Sequence, residues 1–147
     1  ILRWGIDMNR PREQRHMAER RVAEVMSLEY AGVSPEITAA ELRQQVHDQL
    51  EELFVVQPET GRLLGTVPLA RLITAADERT AGELLKPVGP ILAAGDDLWS
   101  GFLAVETFVG HAMPVVADRE TMEMAGTVTE AALVSAYRES VREAREE

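Results

Sequence analysis

An α+β fold, made of two tandem β-α-β-β-α repeats packed sheet to sheet with pseudo-two-fold symmetry, is predicted by three observations. The first is internal repetition. Val22-Ala23-Glu24-Val25-Met26 matches Ala81-Gly82-Glu83-Leu84-Leu85 at an offset of 59, Phe54-Val55-Val56 matches Pro114-Val115-Val116 at 60, and Gly65-Thr66-Val67 matches Gly126-Thr127-Val128 at 61. The offset grows in loop-like stretches, where an insertion is tolerated. The second observation is that each copy runs through the same order of periodic patterns. The third is size: one such unit has too small a core to stand alone, so two copies bury what each leaves exposed.

Each copy opens on a helical turn at the Val-x-x-Val-Met-type segment and passes through an extended stretch into an amphipathic helix. In the first copy Leu42, Val46, Leu50 and Leu53 fall on one face of a 3.6-residue period. Thr38 and Glu41 have the spacing of a capping box, each satisfying a free backbone N–H of the other. In the second copy the stripe is Leu98, Phe102, Val105 and Val109, with Asp96 or Asp97 as cap. A hairpin follows each helix. Phe54 to Val56 turns through Pro58-Glu59-Thr60-Gly61 into Leu63 to Val67, and Val115 to Val116 turns through Asp118-Arg119-Glu120 into Met122 to Val128. A helix closes each copy. The expected organisation is a basic linker at 1–20, repeats at 21–80 and 81–139, and a charged tail at 140–147.

The 147 residues are 46% apolar and 27% charged, the balance of an ordinary globular protein. No apolar run approaches the roughly 18 residues of a membrane-spanning helix. A start at Ile1, without a signal-type segment, reads as a piece of a longer protein. Cysteine is absent, which excludes disulfides and thiolate chemistry and fits a reducing cytosol. A net charge of -10 argues against a nucleic-acid partner, which would need Lys and Arg on one face. Arg3, Arg10, Arg12, Arg15, Arg20 and Arg21 crowd the start, as in a segment beside the cytoplasmic face of a membrane or in an ordinary solvated linker.

No enzyme is expected. His16, His47 and His111 are far apart and lack metal-ligand spacing, and no nucleophile elbow, phosphate loop or dinucleotide fingerprint occurs. Asp96 and Asp97 are neighbours whose side chains diverge on a helix, so a cap is the better reading.

The Val-x-x-Val-Met lead-in, the amphipathic helix, the Met-Pro-Val-Val-x-Asp strand and turn, and the Gly-h-h-Thr strand end (h apolar) resemble a tandem pair of CBS domains, from about Arg21 to Tyr137. The flanks, Gly5-Ile6-Asp7 with its Arg-rich run and Leu133-Val134-Ser135-Ala136-Tyr137, resemble the cytoplasmic C-terminal domain of bacterial voltage-gated-type chloride channels and transporters. Magnesium transporters and other CBS-bearing proteins remain open. The resemblance implies a regulatory domain on the cytoplasmic side of the cell membrane. Its partners would be a membrane transport domain of the same chain and a second copy, with Leu133, Val134, Tyr137 and Val141 as interface candidates. The alternative is a soluble adenine-nucleotide-sensing module attached to an enzyme or another transporter.

The resemblance further implies AMP, ADP or ATP as regulatory ligands, with no cofactor required. In the family a Gly-h-h-Thr/Ser-x-x-Asp motif supplies a phosphate site and a ribose carboxylate. The second copy keeps Thr129 but has Ala132 at the Asp position, with Glu130 nearby; the first has Pro68 and Arg71 instead. Pro68 has no N–H to offer, and Arg71 reverses the charge, fit for a phosphate or for a surface salt bridge. The nucleotide candidates are Val115, Val116, Thr127, Thr129 and Arg71, each open to a plainer reading as core or cap.

Overall fold

The computed structural model describes residues 11–46 and 53–146. The order is α1 (Arg12–Glu19), β1 (Ala31–Val33), α2 (Ala39–Gln45), β2 (Leu53–Val56), β3 (Leu63–Val67) and α3 (Leu69–Thr74). The second copy supplies β4 (Leu92–Ala93), α4 (Leu98–Ala104), β5 (Ala112–Val116), β6 (Met124–Thr129) and α5 (Glu130–Glu146). Each copy forms a three-stranded sheet, β1-β2-β3 and β4-β5-β6, with a parallel first pair and an antiparallel hairpin. The repeat unit β-α-β-β-α is therefore realised twice.

Three apolar clusters divide the interior. One lies under α4 and α5 around Leu98, Met113, Val115 and Leu133, and another lies under α2 and α3 around Leu42, Val55 and Leu72. Phe54, Leu63, Val116 and Met124 form the third, joining the two sheets. Strands β2 and β5 are buried on both faces for this reason: Val55 and Val115 turn to the helices, Phe54 and Val116 to the opposite sheet.

The spatial halves are not the sequence repeats. Met17 and Val22, both fully buried, belong to the cluster of the second copy, with Val25 and Met26 packed against it. Ala81, Leu84 and Leu85 likewise complete the cluster of the first. Each lead-in segment thus crosses to the other half, and the boundaries at 21 and 81 cut through both cores. Full burial of an apolar side chain of this size is worth about 1.5–3 kcal/mol, enough to hold the crossing in place.

Several sequence expectations are corrected. The first helical stripe stops early: α2 ends at Gln45, Leu53 begins β2, and Leu50 lies outside the described residues. In the second copy α4 ends at Ala104 and passes into a 3-10 turn, leaving Val109 95% exposed beyond the helix. Asp97 is the cap, its carboxylate accepting from the Ser100 N–H at 2.8 Å, while Asp96 holds Arg119. Thr38 accepts from the Glu41 N–H, but the Glu41 carboxylate returns to the Thr38 hydroxyl rather than its N–H. The reciprocal box occurs in the second lead-in segment instead, where the Glu83 carboxylate accepts from the Thr80 N–H and the Thr80 hydroxyl from the Glu83 N–H; in the first, the Glu24 carboxylate accepts from the Arg21 N–H while the Glu24 N–H donates to the Arg21 carbonyl. Strand β6 starts at Met124 rather than Met122, because Met122 sits in the left-handed region with φ 56° and cannot extend the strand.

Residues 140–146, expected as a tail, continue α5. Leu133 and Ala136 are core residues, and α1 packs along α5. Tyr137 stacks on Phe102 of its own domain at 4.9 Å between ring centroids, while Val134 and Val141 are half-buried. Of the interface candidates, Leu133 is thereby excluded from any contact with a second copy.

Candidate functional site

Gly65 and Gly126, the glycines of the two Gly-Thr-Val segments, are where the crossing lead-in segments touch the opposite sheets. Lys86 N donates to Thr66 O at 2.8 Å and Thr66 N to Lys86 O at 2.9 Å. Ser27 and Thr127 repeat the arrangement at 2.7 and 2.9 Å. A Cβ on Gly65 would stand 2.6 Å from Lys86 O, and one on Gly126 would stand 2.5 Å from Ser27 O. Only glycine lets the backbones approach this closely. The strand ends that follow, Pro68 and Thr129, consequently sit where material from both repeats meets.

Beside the first of these junctions is a cavity of about 350 Å³. Its walls come from the end of β3 and the start of α3 (Thr66 to Leu69), from Lys86 to Gly89, and from the Thr107 to Val109 loop of the second copy. The volume is within the range of small-molecule sites. Nine of its thirteen lining residues are apolar, and Lys86 is the charged one among those described. Lys86 is also the sole lysine of the sequence. The corresponding positions in the second copy are 27–30, beside Thr127 and Thr129, and a stretch of 47–52 that lies outside the described residues.

The expected nucleotide residues are separated by this geometry. Val115 and Val116 are fully buried in two different clusters, so neither presents a side chain to a ligand. Both faces of β5 are covered, which an alternating strand pattern would not reveal. Thr127 is 6% exposed and its backbone is engaged with Ser27. The Thr129 hydroxyl accepts from the Ala132 N–H at 3.0 Å, capping α5, and its side chain remains half-exposed beside the second junction. Arg71 donates to the carbonyls of Leu84 and Leu85 at 3.2 and 2.9 Å. It pins the lead-in of the second copy to α3, and it forms no salt bridge among the described residues.

Sequence reasoning missed Lys86, Thr66 and Phe108. The signal available was positional: Lys86 is the counterpart of Ser27 at the offset of 59, and it follows the matched lead-in directly. Among the described residues no group of three or more His, Asp or Glu could hold a metal, and no helix is long and apolar enough to cross a membrane.

Comparison with known proteins gives the fold a name. The CBS domain family matches residues 22–78. No curated protein matches. Among solved structures, the cystathionine beta-synthase pair domain of a putative Mg2+ transporter from Shewanella oneidensis MR-1 superposes with a TM-score of 0.72 at 22% identity, covering 90% of this chain and 81% of that one. The cytosolic domain of the Mg2+ channel MgtE, solved with ATP, gives 0.68 at 22% identity, over 84% of this chain and 51% of that one. CBSX2, solved with AMP, gives 0.64 at 19% identity, over 82% and 97%. The match at 22–78 falls on the first repeat, and the two repeats together have the fold of the solved CBS pairs.

Proposed function

We propose that this chain is a regulatory CBS-pair domain of an ion-transport protein, lying on the cytoplasmic side of the membrane and without catalysis of its own. The observation that carries the reading is the crossing of the lead-in segments. Each junction is built from both repeats, so an occupant there, or a displacement of α1, biases how the halves sit against each other. The Mg2+-transporter and channel domains of the same fold support an ion-transport context. Chloride as the transported ion rests on the flanking segments alone, of which residues 1–10 lie outside the described part. Flux of chloride and of Mg2+ through the full-length protein in vesicles, with and without this domain, distinguishes the two ions and tests the regulation.

An adenine nucleotide is the ligand proposed for the second junction, where Thr129 keeps a hydroxyl beside the start of α5. The AMP and ATP bound by two proteins of this fold support that class. Calorimetric titration with AMP, ADP and ATP tests it: a one-to-one isotherm weakened by Thr129→Ala is expected, and silence with all three at millimolar concentration rejects it. A second copy as partner is tested by sedimentation velocity. The reading as a soluble nucleotide sensor keeps one point in its favour, since the chain covers 97% of the AMP-bound CBSX2 chain. A soluble sequence encoded upstream would decide for it.

A further inference from the structure

We propose that α1 is a strap: it leaves the groove between α4 and α5 as a unit, unfolding as it goes, while the lead-in segment behind it stays seated, and the buried hydroxyl of Ser140 sets how readily it leaves.

The helix is held lightly. It packs on α5 and α4, yet Met17 is the one buried residue of its eight. Around that anchor the contacts are peripheral. Arg20 reaches Glu139 at 3.9 Å, His16 Nδ1 lies 3.2 Å from the Glu143 carboxylate, and all four side chains are partly open to water. Contacts of this kind add little. Pro11 precedes the helix without a side-chain capping bond, and a helix of about two turns does not persist in water by itself. Release and unfolding of α1 are therefore one event.

The surface beneath the strap favours release. On α5, Ala136, Ser140 and Glu143 follow at i, i+4 and i+7, one face of the helix. Ala136 shares a cluster with Met17, and Glu143 meets His16, so this face is the one that α1 covers. Ser140 lies between them, fully buried, with no hydrogen-bond partner for its hydroxyl among the described residues. Lifting α1 admits water to that hydroxyl and returns the hydrogen bond that burial denies it. The seated state thus carries a penalty that the open state lacks.

Behind the strap the chain is fixed. Leu98 N donates to Arg20 O at 2.9 Å, Val22 N to Asp96 O at 2.8 Å and Ala23 N to Ala94 O at 3.0 Å, and Ser27 exchanges two bonds with Thr127. Val22 is fully buried. The boundary of the opening falls at Arg20, which is extended, with φ -103° and ψ 159°. The opening itself is independent of the regulatory reading, but its use as a regulator rests on that reading: a seated strap passes a displacement of α1 to the second half, and a released one does not.

Native-state hydrogen exchange on the intact chain tests the strap. The amides of Met17, Ala18 and Glu19 should exchange at one shared rate, about tenfold or more faster than Val22, Ala23 and Ser27, although they lie nearest the anchored segment. Ser140→Ala should slow the three α1 amides by about fivefold, the share of one unsatisfied hydroxyl. Met17→Ala should abolish their protection while Val22, Ala23 and Ser27 remain protected. Exchange of α1 at the rate of Val22 and Ser27 would overturn the proposal, as would rates graded residue by residue toward Pro11. So would Ser140→Ala leaving the α1 amides unchanged. Chloride and Mg2+ flux through the full-length protein that responds to neither variant would reject the regulatory reading and leave the strap standing, so the two fail separately.

Discussion

Arg62 and Glu123 face each other across an antiparallel bridge that joins the two sheets, and they are the same position of the two repeats. Leu63 N donates to Met122 O at 2.8 Å and Met124 N to Gly61 O at 2.9 Å, a pair of bonds exchanged by the pseudo-two-fold axis. The left-handed position beside this bridge is Gly61 in one copy, with φ 76°, and Met122 in the other, with φ 56°. A side chain there carries backbone strain. Gly61→Ala should cost about 1 kcal/mol in urea unfolding, because its Cβ would also meet Glu123 Cγ at 3.2 Å. Gly95→Ala, whose Cβ would meet nothing within 4 Å, should stay near neutral.

Gly65→Ala and Gly126→Ala should be the more damaging changes, each about 3 kcal/mol, since overpacking against backbone cannot be relieved by a rotamer. The specific sign of the mechanism is local. For Gly126→Ala, hydrogen-exchange protection should fall at Ser27 and Thr127 before it falls in the interior of α5.

Arg71→Met should destabilise the domain by about 1 kcal/mol, a value discounted for the exposure of the side chain. It should leave AMP affinity unchanged, because the guanidinium is committed to the Leu84 and Leu85 carbonyls. A drop in nucleotide affinity without a drop in stability would restore the phosphate role suggested by its position in the motif.

Acid should unfold the protein through identifiable carboxylates. The Arg119 guanidinium, and then the Ala93 N–H, hold Asp96 below its ordinary value. The backbone N–H of Thr121 does so for Asp118, and those of Arg21 and Thr80 do so for Glu24 and Glu83. A carboxylate depressed in the folded state stabilises it above the unfolded value, and that contribution is lost as pH falls through the folded value. Urea midpoints should therefore be flat near neutrality and decline from about pH 5 downward. Arg119→Met should make the decline shallower.

Ser140 is fully buried on α5, and its hydroxyl has no hydrogen-bond partner among the described residues. Ser140→Ala removes an unsatisfied group at little cost in volume. It should raise stability by about 1 kcal/mol, read as a higher thermal midpoint with unchanged far-ultraviolet dichroism.

The repeat offsets and the hairpins were legible in the sequence because strand pairing and turn chemistry are local. A cap at Asp96 or Asp97 was legible for the same reason, and the structure chooses Asp97. The crossing of the lead-in segments was not, since a repeat in sequence says which segments are equivalent and not which core each one enters. The candidate site suffered most from this. Val115 and Val116 fit the family pattern but are enclosed on both sides, whereas Lys86 was hidden in a stretch whose neighbours come from Gly65 to Leu69 and Thr107 to Val109, far away along the chain. Thr129 was found through its place in the Gly-h-h-Thr motif of the resembled family, and its capping bond to Ala132 lies within its own next three residues.

The crossed lead-in segments also set an order of mechanical events. Tension applied at α1 acts first on Met17 and Val22, so it loosens the half of the protein that is farther along the chain. The nearer half, completed by Ala81 and Leu84, is reached only through residues 27–30, which join the first lead-in to β1. A pull from the upstream side would therefore be felt at Thr129 before it is felt at Lys86, giving the two junctions different sensitivities to the same displacement.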